Sequence, residues 1–332
     1  MSGFGFGGRL GAVTLTAAIA FATPAHADLN QAVSVVEPAT ARIDTVIHYQ
    51  HAIGAGTGIV LDPSGVVLTN FHVVQSADNI GATVGGHQFP ADLVGYDRHH
   101  DVAVLQLRGA GGLPTAPIGD STQVVTGQPV VALGNADGTG SQLTRESGQV
   151  VGLGRSINAQ DSLTGSAEQV TGLIQFAAPV RAGDSGGPVL NEAGQVVGMT
   201  TAATLNYKMG PGGQGFAIPI NQALAIAGQI RSHNPSDSVH IGPPTLLGVG
   251  VTSADQHTDL PGVLIHEVIN GGPAQQAGMM PGDVLVSVDA VSVNSATALT
   301  TVLDRHYPGE TVDLFWIDRA GQQRTGKALL TS

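Results

Sequence analysis

The sequence predicts an all-β protein with two folded domains. Glycine and proline are abundant, with 47 and 18 residues, while aromatic residues make up only 4% of the chain. Turn-forming residues at this frequency separate many short apolar runs, which is the pattern of short strands joined by tight turns. The chain has 332 residues, of which 42% are hydrophobic and 11% charged. A compact chain of this length exceeds what one hydrophobic core usually supports, so we expect two cores.

The first 27 residues are predicted to lie outside this fold. They contain Arg9, an apolar run over residues 10–22, and the small-x-small ending Ala25-His26-Ala27. This is the pattern of a secretory signal peptide, and the apolar run is shorter than a typical membrane span. A retained membrane anchor is the alternative. We expect a mature protein that begins at Asp28 and is secreted or held in the cell envelope.

Charge and residue usage argue against several classes of function. The formal net charge of -12 disfavours nucleic acid or an anionic membrane as a partner. The sequence contains no cysteine, which excludes disulfides, thiol catalysis and cysteine-ligated metal. The tight histidine groups, His48/His51 and His99/His100, lack the carboxylate pattern of a metal site. No metal site is therefore predicted.

The first folded domain is predicted over residues 28–232 and begins with a β-hairpin. Residues 57–61 and 66–69 have the apolar character of strands, and Asp62-Pro63-Ser64-Gly65 between them has the composition of a turn. Apolar runs of strand length then alternate with polar loops. The further strands are predicted at 89–94, 101–107, 129–134, 147–152, 173–176, 189–190, 195–200 and 215–219, and the main loops at 135–143, 158–171 and 205–213.

A helix closes this domain, and a smaller domain follows it. Apolar residues recur at helical spacing from Ile220 to Ile230, which predicts a helix over residues 220–231. The polar, proline-rich residues 233–244 are predicted to form a linker. The second domain covers residues 245–332, with strands predicted at 246–252, 263–268, 284–288 and 312–317 and helices at 274–278 and 296–306.

The six residues Gly183-Asp184-Ser185-Gly186-Gly187-Pro188 contain the candidate nucleophile. A serine hydroxyl attacks a carbonyl only when a base removes its proton and donors stabilise the oxyanion that forms. The flanking glycines allow a sharp turn in which the N–H groups of Gly183 and Ser185 point into one space. We expect Ser185 to be the nucleophile and these two N–H groups to form an oxyanion hole. For a shorter Gly-x-Ser-Gly string, a turn without catalytic role would be the usual interpretation.

Two further residues complete a candidate triad. His72 follows a buried strand, and Asp101 stands at the entrance of the apolar strand 101–107. Asp97 competes with Asp101, but it lies within a loop and no apolar run adjoins it. The order His, Asp, Ser is that of the chymotrypsin-like double β-barrel, and it is opposite to the Ser, Asp, His order of α/β-hydrolase lipases and esterases.

Four motifs resemble the HtrA (DegP-like) branch of trypsin-fold serine proteases. They are Thr69-Asn-Phe-His-Val-Val74, Asp101-Val-Ala-Val-Leu105, Gly183 to Pro188, and Gly215-Phe-Ala-Ile-Pro219. The resemblance implies a chymotrypsin-like double β-barrel protease domain. The signal peptide without a transmembrane segment suggests the secreted, PepA-like members found in actinobacteria.

The second domain resembles a bacterial PDZ domain, which is a small α+β fold. The resemblance rests on Leu246-Leu247-Gly248-Val249, Gly272-Pro-Ala274, Ala277-Gly278 and Pro281-Gly-Asp-Val284. It implies that Leu246, Leu247, Gly248 and Val249 hold the carboxylate of a peptide C-terminus, with the helix at 296–306 as the opposite wall. The alternative is a module that only packs against the protease or serves oligomer contacts.

The resemblance implies a secreted serine endopeptidase that acts on polypeptides, unfolded ones among them. His72 would be the general base and then the general acid, Asp101 would orient it, and Ser185 would form the acyl-enzyme without metal or organic cofactor. A peptide-binding chaperone or scaffold with minor or latent proteolysis is the alternative. Members of this family often trimerise, but residues 32–49 show no clear aromatic contact of that kind, so the sequence leaves a homo-oligomer open.

Two expectations concern residues near Ser185. Pro179 stands where a basic-specific enzyme of this fold places an aspartate at the floor of the S1 pocket, so we expect small or aliphatic P1 residues. Trypsin pairs the aspartate before its serine with a new N-terminal ammonium, which the start Asp28-Leu29-Asn30 does not provide. We therefore hypothesise that Arg145 pairs with Asp184. A solvated Arg145, or one paired with Glu146, is the alternative.

Overall fold

The computed structural model describes residues 29–47, 52–138, 142–160, 167–201, 213–253 and 261–332. Strands dominate this part of the chain, and the all-β prediction is confirmed. The predicted signal peptide, residues 1–27, and most of the predicted loop at 205–213 lie outside the described residues. No helix among the described residues is long and apolar enough to cross a membrane.

Six antiparallel strands close the first barrel. Strand β5 pairs with both β4 and β6, so the ring runs β1-β2-β3-β6-β5-β4 and returns to β1. Its buried core is mostly aliphatic, and each of the six strands contributes to it. The strands are β1 (Thr40–Ile47), β2 (Ala52–Asp62), β3 (Val66–Thr69), β4 (Asn79–Val84), β5 (His87–Asp97) and β6 (Val102–Leu107).

The predicted hairpin between β2 and β3 is present. Gly65 adopts a φ of +93° and its N–H donates to the Asp62 carbonyl at 3.0 Å. The Asp62 carboxylate accepts from the Ser64 N–H at 2.9 Å, which closes the turn a second time. All four residues of β3 are buried, and the strand leads directly into the segment that carries His72.

The second barrel is also closed by six strands, in the order β10-β11-β12-β9-β8-β7. The prediction of a loop at 158–171 is wrong at both ends, because β8 and β9 are paired as far as Gln160 and Ala167, while residues 161–166 lie outside the described residues. Polar residues predominate in this stretch of the sequence, which hides the strand pattern. The strands are β7 (Pro129–Gly134), β8 (Thr144–Gln160), β9 (Ala167–Phe176), β10 (Pro188–Leu190), β11 (Val196–Thr201) and β12 (Gly215–Pro219).

Three helices flank the barrels. The predicted helix is present as α3 (Ile220–Arg231), with Ile220, Ala227 and Ile230 buried against β5, β6 and β11. The other two are α1 (Leu29–Val36), which packs against β7, and the single turn α2 (Phe71–Val74) directly after β3.

The predicted linker is in part a strand. Within residues 233–244, β13 (Val239–Ile241) pairs with β5 and adds a seventh strand to the sheet of the first barrel. Gly95 on β5 permits this pairing, since a Cβ there would meet the His240 carbonyl. A polar, proline-rich composition marks the ends of this segment but not the three residues that pair.

The second domain is a sheet of antiparallel strands covered by two helices, with its own buried core. The sheet runs β14-β15-β16-β18-β19, with the short β17 paired to β16. The longer helix ends at Leu303 rather than at the predicted residue 306. The elements are β14 (Val249–Ser253), β15 (Val263–Val268), α4 (Pro273–Gln276), β16 (Val284–Val288), β17 (Val291–Ser292), α5 (Ala296–Leu303), β18 (Thr311–Ile317) and β19 (Gln323–Leu329).

The two domains meet at Asp304, the C-cap of α5. Its carboxylate accepts hydrogen bonds from the Arg98 guanidinium at 2.6 and 3.0 Å and from the Tyr96 hydroxyl at 2.6 Å. The His240 ring stacks between Tyr96 and Tyr307, with centroid distances of 5.0 and 4.6 Å. We call this contact the Asp304 joint.

Candidate active site

His72 and Asp101 are brought together by the end of β3 and the start of β6. The His72 Nδ1 and the Asp101 Oδ2 lie 2.8 Å apart, and the His72 N–H donates to Oδ1 at 3.0 Å. The Asn70 side chain donates to the Asp101 carbonyl at 2.9 Å, so Asp101 is held through its backbone as well. Asp101 is buried while the His72 ring is about one third exposed, which leaves the ring accessible to a substrate.

Asp97 has a different role, which resolves the ambiguity between the two aspartates. Its carboxylate accepts from the His100 N–H at 3.0 Å and lies 2.8 Å from His100 Nδ1. This hydrogen bond raises the pKa of His100 above its usual value. Asp97 thus closes the turn that leads to Asp101, whose φ is +54°.

The second barrel supplies the remaining contacts. Thr201, at the end of β11, donates its hydroxyl proton to Asp101 Oδ2 at 3.0 Å. The backbone carbonyl of the preceding residue, Thr200, accepts a hydrogen bond from the Gly186 N–H at 2.8 Å. The turn that carries Ser185 and the carboxylate of Asp101 therefore meet at the same end of β11, across the cleft between the barrels.

The residues before Ser185 form a tight turn. The Asp184 N–H donates to the Arg181 carbonyl at 3.0 Å, and Gly183 has a φ of +94°. A positive φ at the third of four turn residues is the signature of a type II turn, which glycine adopts without strain. Among the described residues, the Gly183 N–H has no hydrogen-bond acceptor. This N–H is thus available to a further acceptor, and its place in an oxyanion hole stays a prediction.

Thr57 on β2 holds this turn from the first barrel. Its hydroxyl donates to the Gly183 carbonyl at 2.6 Å and its N–H donates to the Ser185 carbonyl at 2.8 Å. A Cβ at Gly186 would collide with the Thr57 carbonyl, so the backbone must remain bare at that position. Close backbone approach explains the run of glycines in the motif.

The hypothesis of an Arg145–Asp184 pair is wrong. The Arg145 guanidinium contacts the carboxylate of Glu37 at 2.6 Å and is about half exposed. Asp184, which is buried, accepts instead from the Thr144 hydroxyl at 2.8 Å and from the Arg181 N–H at 2.8 Å. Consecutive residues of a strand point to opposite faces, so the residue next to Arg145 on β8 faces Asp184.

Pro179 is exposed and packs against Gly213. Residues 202–212 lie outside the described residues, so the S1 prediction stays a prediction. No group of histidine, aspartate and glutamate among the described residues could hold a metal ion.

The predicted carboxylate loop of the second domain precedes β14. The carbonyls of Leu247 and Gly248 accept from the N–H groups of Ala274 and Ile269, at 3.0 and 2.9 Å. Because the peptide bond is planar and trans, the N–H groups of Gly248 and Val249 point the opposite way, out of the domain. They face the open edge of β14, which pairs only with β15 among the described strands.

Leu246 and Leu247 differ in their surroundings. Leu247 is buried, whereas Leu246 is about two fifths exposed and forms a bridge with Thr331. The helix α5 lies against β14, and its role as the opposite wall of a peptide site stays a prediction.

Sequence reasoning missed the threonines that hold the site. Three of them have a short polar side chain in an otherwise largely apolar strand, which is a signal that could have found them, whereas the fourth, Thr144, begins a polar stretch of β8 and gives no such signal. The four are Thr57, Thr69, Thr144 and Thr201, which bond the Gly183 carbonyl, the Thr57 carbonyl, Asp184 and Asp101 respectively.

Two family models match the chain. A trypsin-like peptidase domain matches residues 56–199, and a PDZ domain matches residues 245–327.

The serine protease Do-like HtrA of Lactococcus lactis is 30% identical over 291 residues, which cover 83% of this chain and 70% of that protein. The serine protease PepD of Mycobacterium tuberculosis is 33% identical over 321 residues, which cover 91% of this chain and 66% of that protein. HhoA of a Synechocystis species is 33% identical over 264 residues, which cover 76% of this chain and 64% of that protein. The chain thus spans less than two thirds of the length of each of the latter two.

Solved structures give the same result. The HtrA-type protease AlgW with a tripeptide has a TM-score of 0.54 and 28% identity, and the match covers 91% of this chain and 96% of that chain. The serine endoprotease from Yersinia pestis has a TM-score of 0.51 and 26% identity, covering 93% and 99%. The predicted double barrel followed by a PDZ domain is confirmed. By these similarities and by its own architecture, the chain belongs to the HtrA family of trypsin-like serine proteases with a PDZ domain.

Proposed function

We propose that this chain is a serine endopeptidase that cleaves polypeptides through an acyl-enzyme on Ser185. The observation that carries the proposal is the double hydrogen bond from His72 to the Asp101 carboxylate, at 2.8 and 3.0 Å. It holds the imidazole with Nδ1 toward Asp101, so that Nε2 is the nitrogen left to act as a base. A serine nucleophile needs a base that is oriented by a third group in this way.

The reaction would proceed in two halves. His72 takes the proton of Ser185 Oγ as the oxygen attacks the peptide carbonyl, and Asp101 stabilises the imidazolium. The N–H groups of Gly183 and Ser185 would stabilise the oxyanion, and His72 would then return the proton to the leaving amine. Water hydrolyses the acyl-enzyme by the same steps. No metal or organic cofactor takes part.

A fluorophosphonate probe tests this proposal directly. It should label the wild-type chain at Ser185, and Ser185→Ala should abolish both labelling and cleavage of a fluorescent casein while the protein remains folded. His72→Ala should lose nearly as much activity, because triad residues act as a unit. Absence of labelling, even when C-terminal peptides are added, would favour the alternative of a peptide-binding chaperone or scaffold.

We propose small or aliphatic P1 residues as the preferred substrates. Pro179 offers no carboxylate at the position predicted to floor the S1 pocket, and a cationic side chain buried there would be unpaired. Two peptides that differ only in P1, valine against lysine, should be cleaved at rates that favour valine. A preference for lysine would contradict the assignment.

We further propose that the PDZ domain binds peptide C-termini as an added strand beside β14. The outward N–H groups of Gly248 and Val249 would hold the carboxylate, and the groove beside α5 would take the last side chain. The solved AlgW structures with a tripeptide and a decapeptide support this proposal by similarity. A peptide should bind in a fluorescence anisotropy titration, and its C-terminally amidated form should not.

We place this activity outside the cytoplasm. The predicted signal peptide and the periplasmic assignment in the name of Escherichia coli DegQ, which is 33% identical over 284 residues, support this location. Fractionation of cells that produce the full chain should recover a shortened protein in the envelope or medium. Recovery of the full-length chain in the cytoplasm would contradict it.

A further inference from the structure

We propose that Thr144 is a positioning residue for the turn that presents the Gly183 N–H, acting through Asp184. This proposal rests on the proposed function, since the direction of this N–H matters only if Ser185 attacks a carbonyl. We call the three groups Thr144, Asp184 and the Arg181 N–H the oxyanion bracket.

The bracket closes a four-residue turn by side-chain contacts. Arg181 is the first residue of the turn and Asp184 is the last. One oxygen of the Asp184 carboxylate accepts a hydrogen bond from the Arg181 N–H. The other oxygen accepts from the Thr144 hydroxyl at 2.8 Å. The backbone bond from the Asp184 N–H to the Arg181 carbonyl completes the ring. The Asp184 end of the turn is therefore fastened to β8, and the Arg181 end is fastened to Asp184.

The middle of the turn is the part that matters for chemistry. Type I and type II turns share the same end-to-end hydrogen bond and differ by a flip of the central peptide. Here that peptide joins Ala182 to Gly183, and its flip decides on which side the Gly183 N–H points. The φ of +94° at Gly183 places the turn in the type II form. The bracket holds the ends of the turn, and the Thr57 hydroxyl, which donates to the Gly183 carbonyl at 2.6 Å, holds its third residue.

The surroundings show how closely the bracket is built. Gly134 on β7 lies beneath Asp184, and a Cβ at Gly134 would come within 2.7 Å of the Asp184 Cα. The Thr144 hydroxyl also lies 2.9 Å from the Gly134 carbonyl. This hydroxyl has one proton for two acceptors, the carbonyl and the Asp184 carboxylate. The side-chain N–H₂ of an asparagine at position 184 would donate to the Thr144 hydroxyl oxygen, so that the Thr144 hydroxyl could donate its proton to the Gly134 carbonyl. The side-chain oxygen of the asparagine would still accept from the Arg181 N–H. The bracket thus requires hydrogen bonding at position 184 but not a negative charge.

The test compares four variants in the full chain with a fluorophosphonate probe. Thr144→Val keeps the shape of the side chain and removes the hydroxyl. We expect its first-order phosphonylation rate to fall about 10- to 100-fold, a partial form of the loss seen when an oxyanion donor is removed, with the probe's binding constant within about twofold. The single variants Thr144→Ser and Asp184→Asn should each keep the phosphonylation rate within about threefold of wild type. Arg145→Gln, the neighbour that points away from Asp184, is the matched control and should leave the rate unchanged.

Hydrogen exchange followed by mass spectrometry supplies a readout that does not depend on activity. Thr144→Val should raise exchange in the peptide that covers residues 179–190, and Arg145→Gln should not. If wild type is labelled and Thr144→Val is labelled equally fast, the positioning role is overturned while the proposed function stands. If wild type is not labelled at all, the proposed function and the positioning role both fall, and the exchange data report only whether the bracket holds the turn.

Discussion

Asp97 and Asp101 lie four residues apart in one turn and serve different partners. Asp101 accepts from His72 and Thr201, while Asp97 accepts from His100 and closes the turn. The left-handed φ of Asp101 is an uncommon conformation for a residue with a side chain, and the Asp97 contacts help to hold it. The geometry around His72 therefore depends on a residue outside the proposed triad.

The Asp97–His100 contact should make stability depend on pH. The contact raises the pKa of His100 in the folded protein, so its stabilisation is fully present below the pKa of an unfolded histidine, about 6.5. It is lost as the pH rises through the folded value. The difference in unfolding free energy between wild type and His100→Asn, measured in urea, should thus be larger at pH 5 than at pH 8. Because the ring is partly exposed, the change should be about 0.5 kcal/mol or less.

A double-mutant cycle provides the control for this prediction. In an Asp97→Asn background, His100→Asn should no longer change the pH dependence of stability. An equal effect in both backgrounds would mean that another group causes it.

At the scale of single elements, strand β8 decides which side chains reach the active site. Thr144 faces inward to Asp184, and Arg145 faces outward to Glu37, which ties the helical turn after α1 to the second barrel. Strand β13 also uses neighbouring residues for different contacts. Val239 lies in the buried core, while His240 contacts Asp304 of the second domain.

One added methyl group on β5 should disrupt the pairing of β13 with β5. A Cβ at Gly95 would come within 2.9 Å of Ile230 Cγ2 and would meet the His240 carbonyl. We expect Gly95→Ala to displace β13 and to raise the rate of tryptic cleavage after Arg231 several-fold. Gly81→Ala on β4 is the matched control, because a Cβ there has room, with its nearest atom at 3.7 Å. Equal protection of both variants would show that β13 tolerates the added group.

The sequence predicted what is local and missed what depends on register. Apolar runs located most strands, and they put the proposed triad residues His72, Asp101 and Ser185 next to strand ends or in turns. The partner of Asp184 was missed by one residue, because a strand alternates faces and the sequence does not show where β8 begins. The polar end of the β8–β9 hairpin and the pairing of β13 were also missed. In both cases backbone hydrogen bonds, rather than an apolar pattern, make the strand.

At the scale of the whole molecule, the Asp304 joint connects the PDZ domain with the back of the active site. Phe71, the neighbour of His72, stacks on Tyr96 with a centroid distance of 4.0 Å. Tyr96 in turn stacks on His240, and Asp304 bonds to both Tyr96 and Arg98. Arg98 belongs to the turn that ends at Asp101. Removal of all residues after 232 would take away β13 as well as the PDZ domain.

Loss of the Asp304 carboxylate should separate the unfolding of the two domains. Arg98 is nine-tenths buried, so Asp304→Ala leaves a buried guanidinium without this partner. Breaking a buried ion pair from one side costs about 3–5 kcal/mol. We expect calorimetry to show one unfolding transition in wild type and two in Asp304→Ala, with the first at lower temperature.

The matched control for this prediction is Asp313→Ala. Asp313 pairs with Lys327 on the surface of the same domain, where both side chains are about two thirds exposed. Its loss should cost less than about 1 kcal/mol and leave the shape of the transition unchanged. Two transitions already present in wild type would contradict the role given to the joint.

The open edge of β14 has a consequence for aggregation. The opposite edge of the same sheet, β19, carries Arg324 and Lys327, and charged side chains of this kind discourage pairing with other chains. The five residues of β14 carry no charge at all. Among the described strands of the two closed barrels, only β13 is an edge strand. When this protein is concentrated together with unfolded chains, β14 is therefore the strand with which segments of those chains would first pair. An excess of a short peptide with a free C-terminus, bound beside β14, would reduce this aggregation.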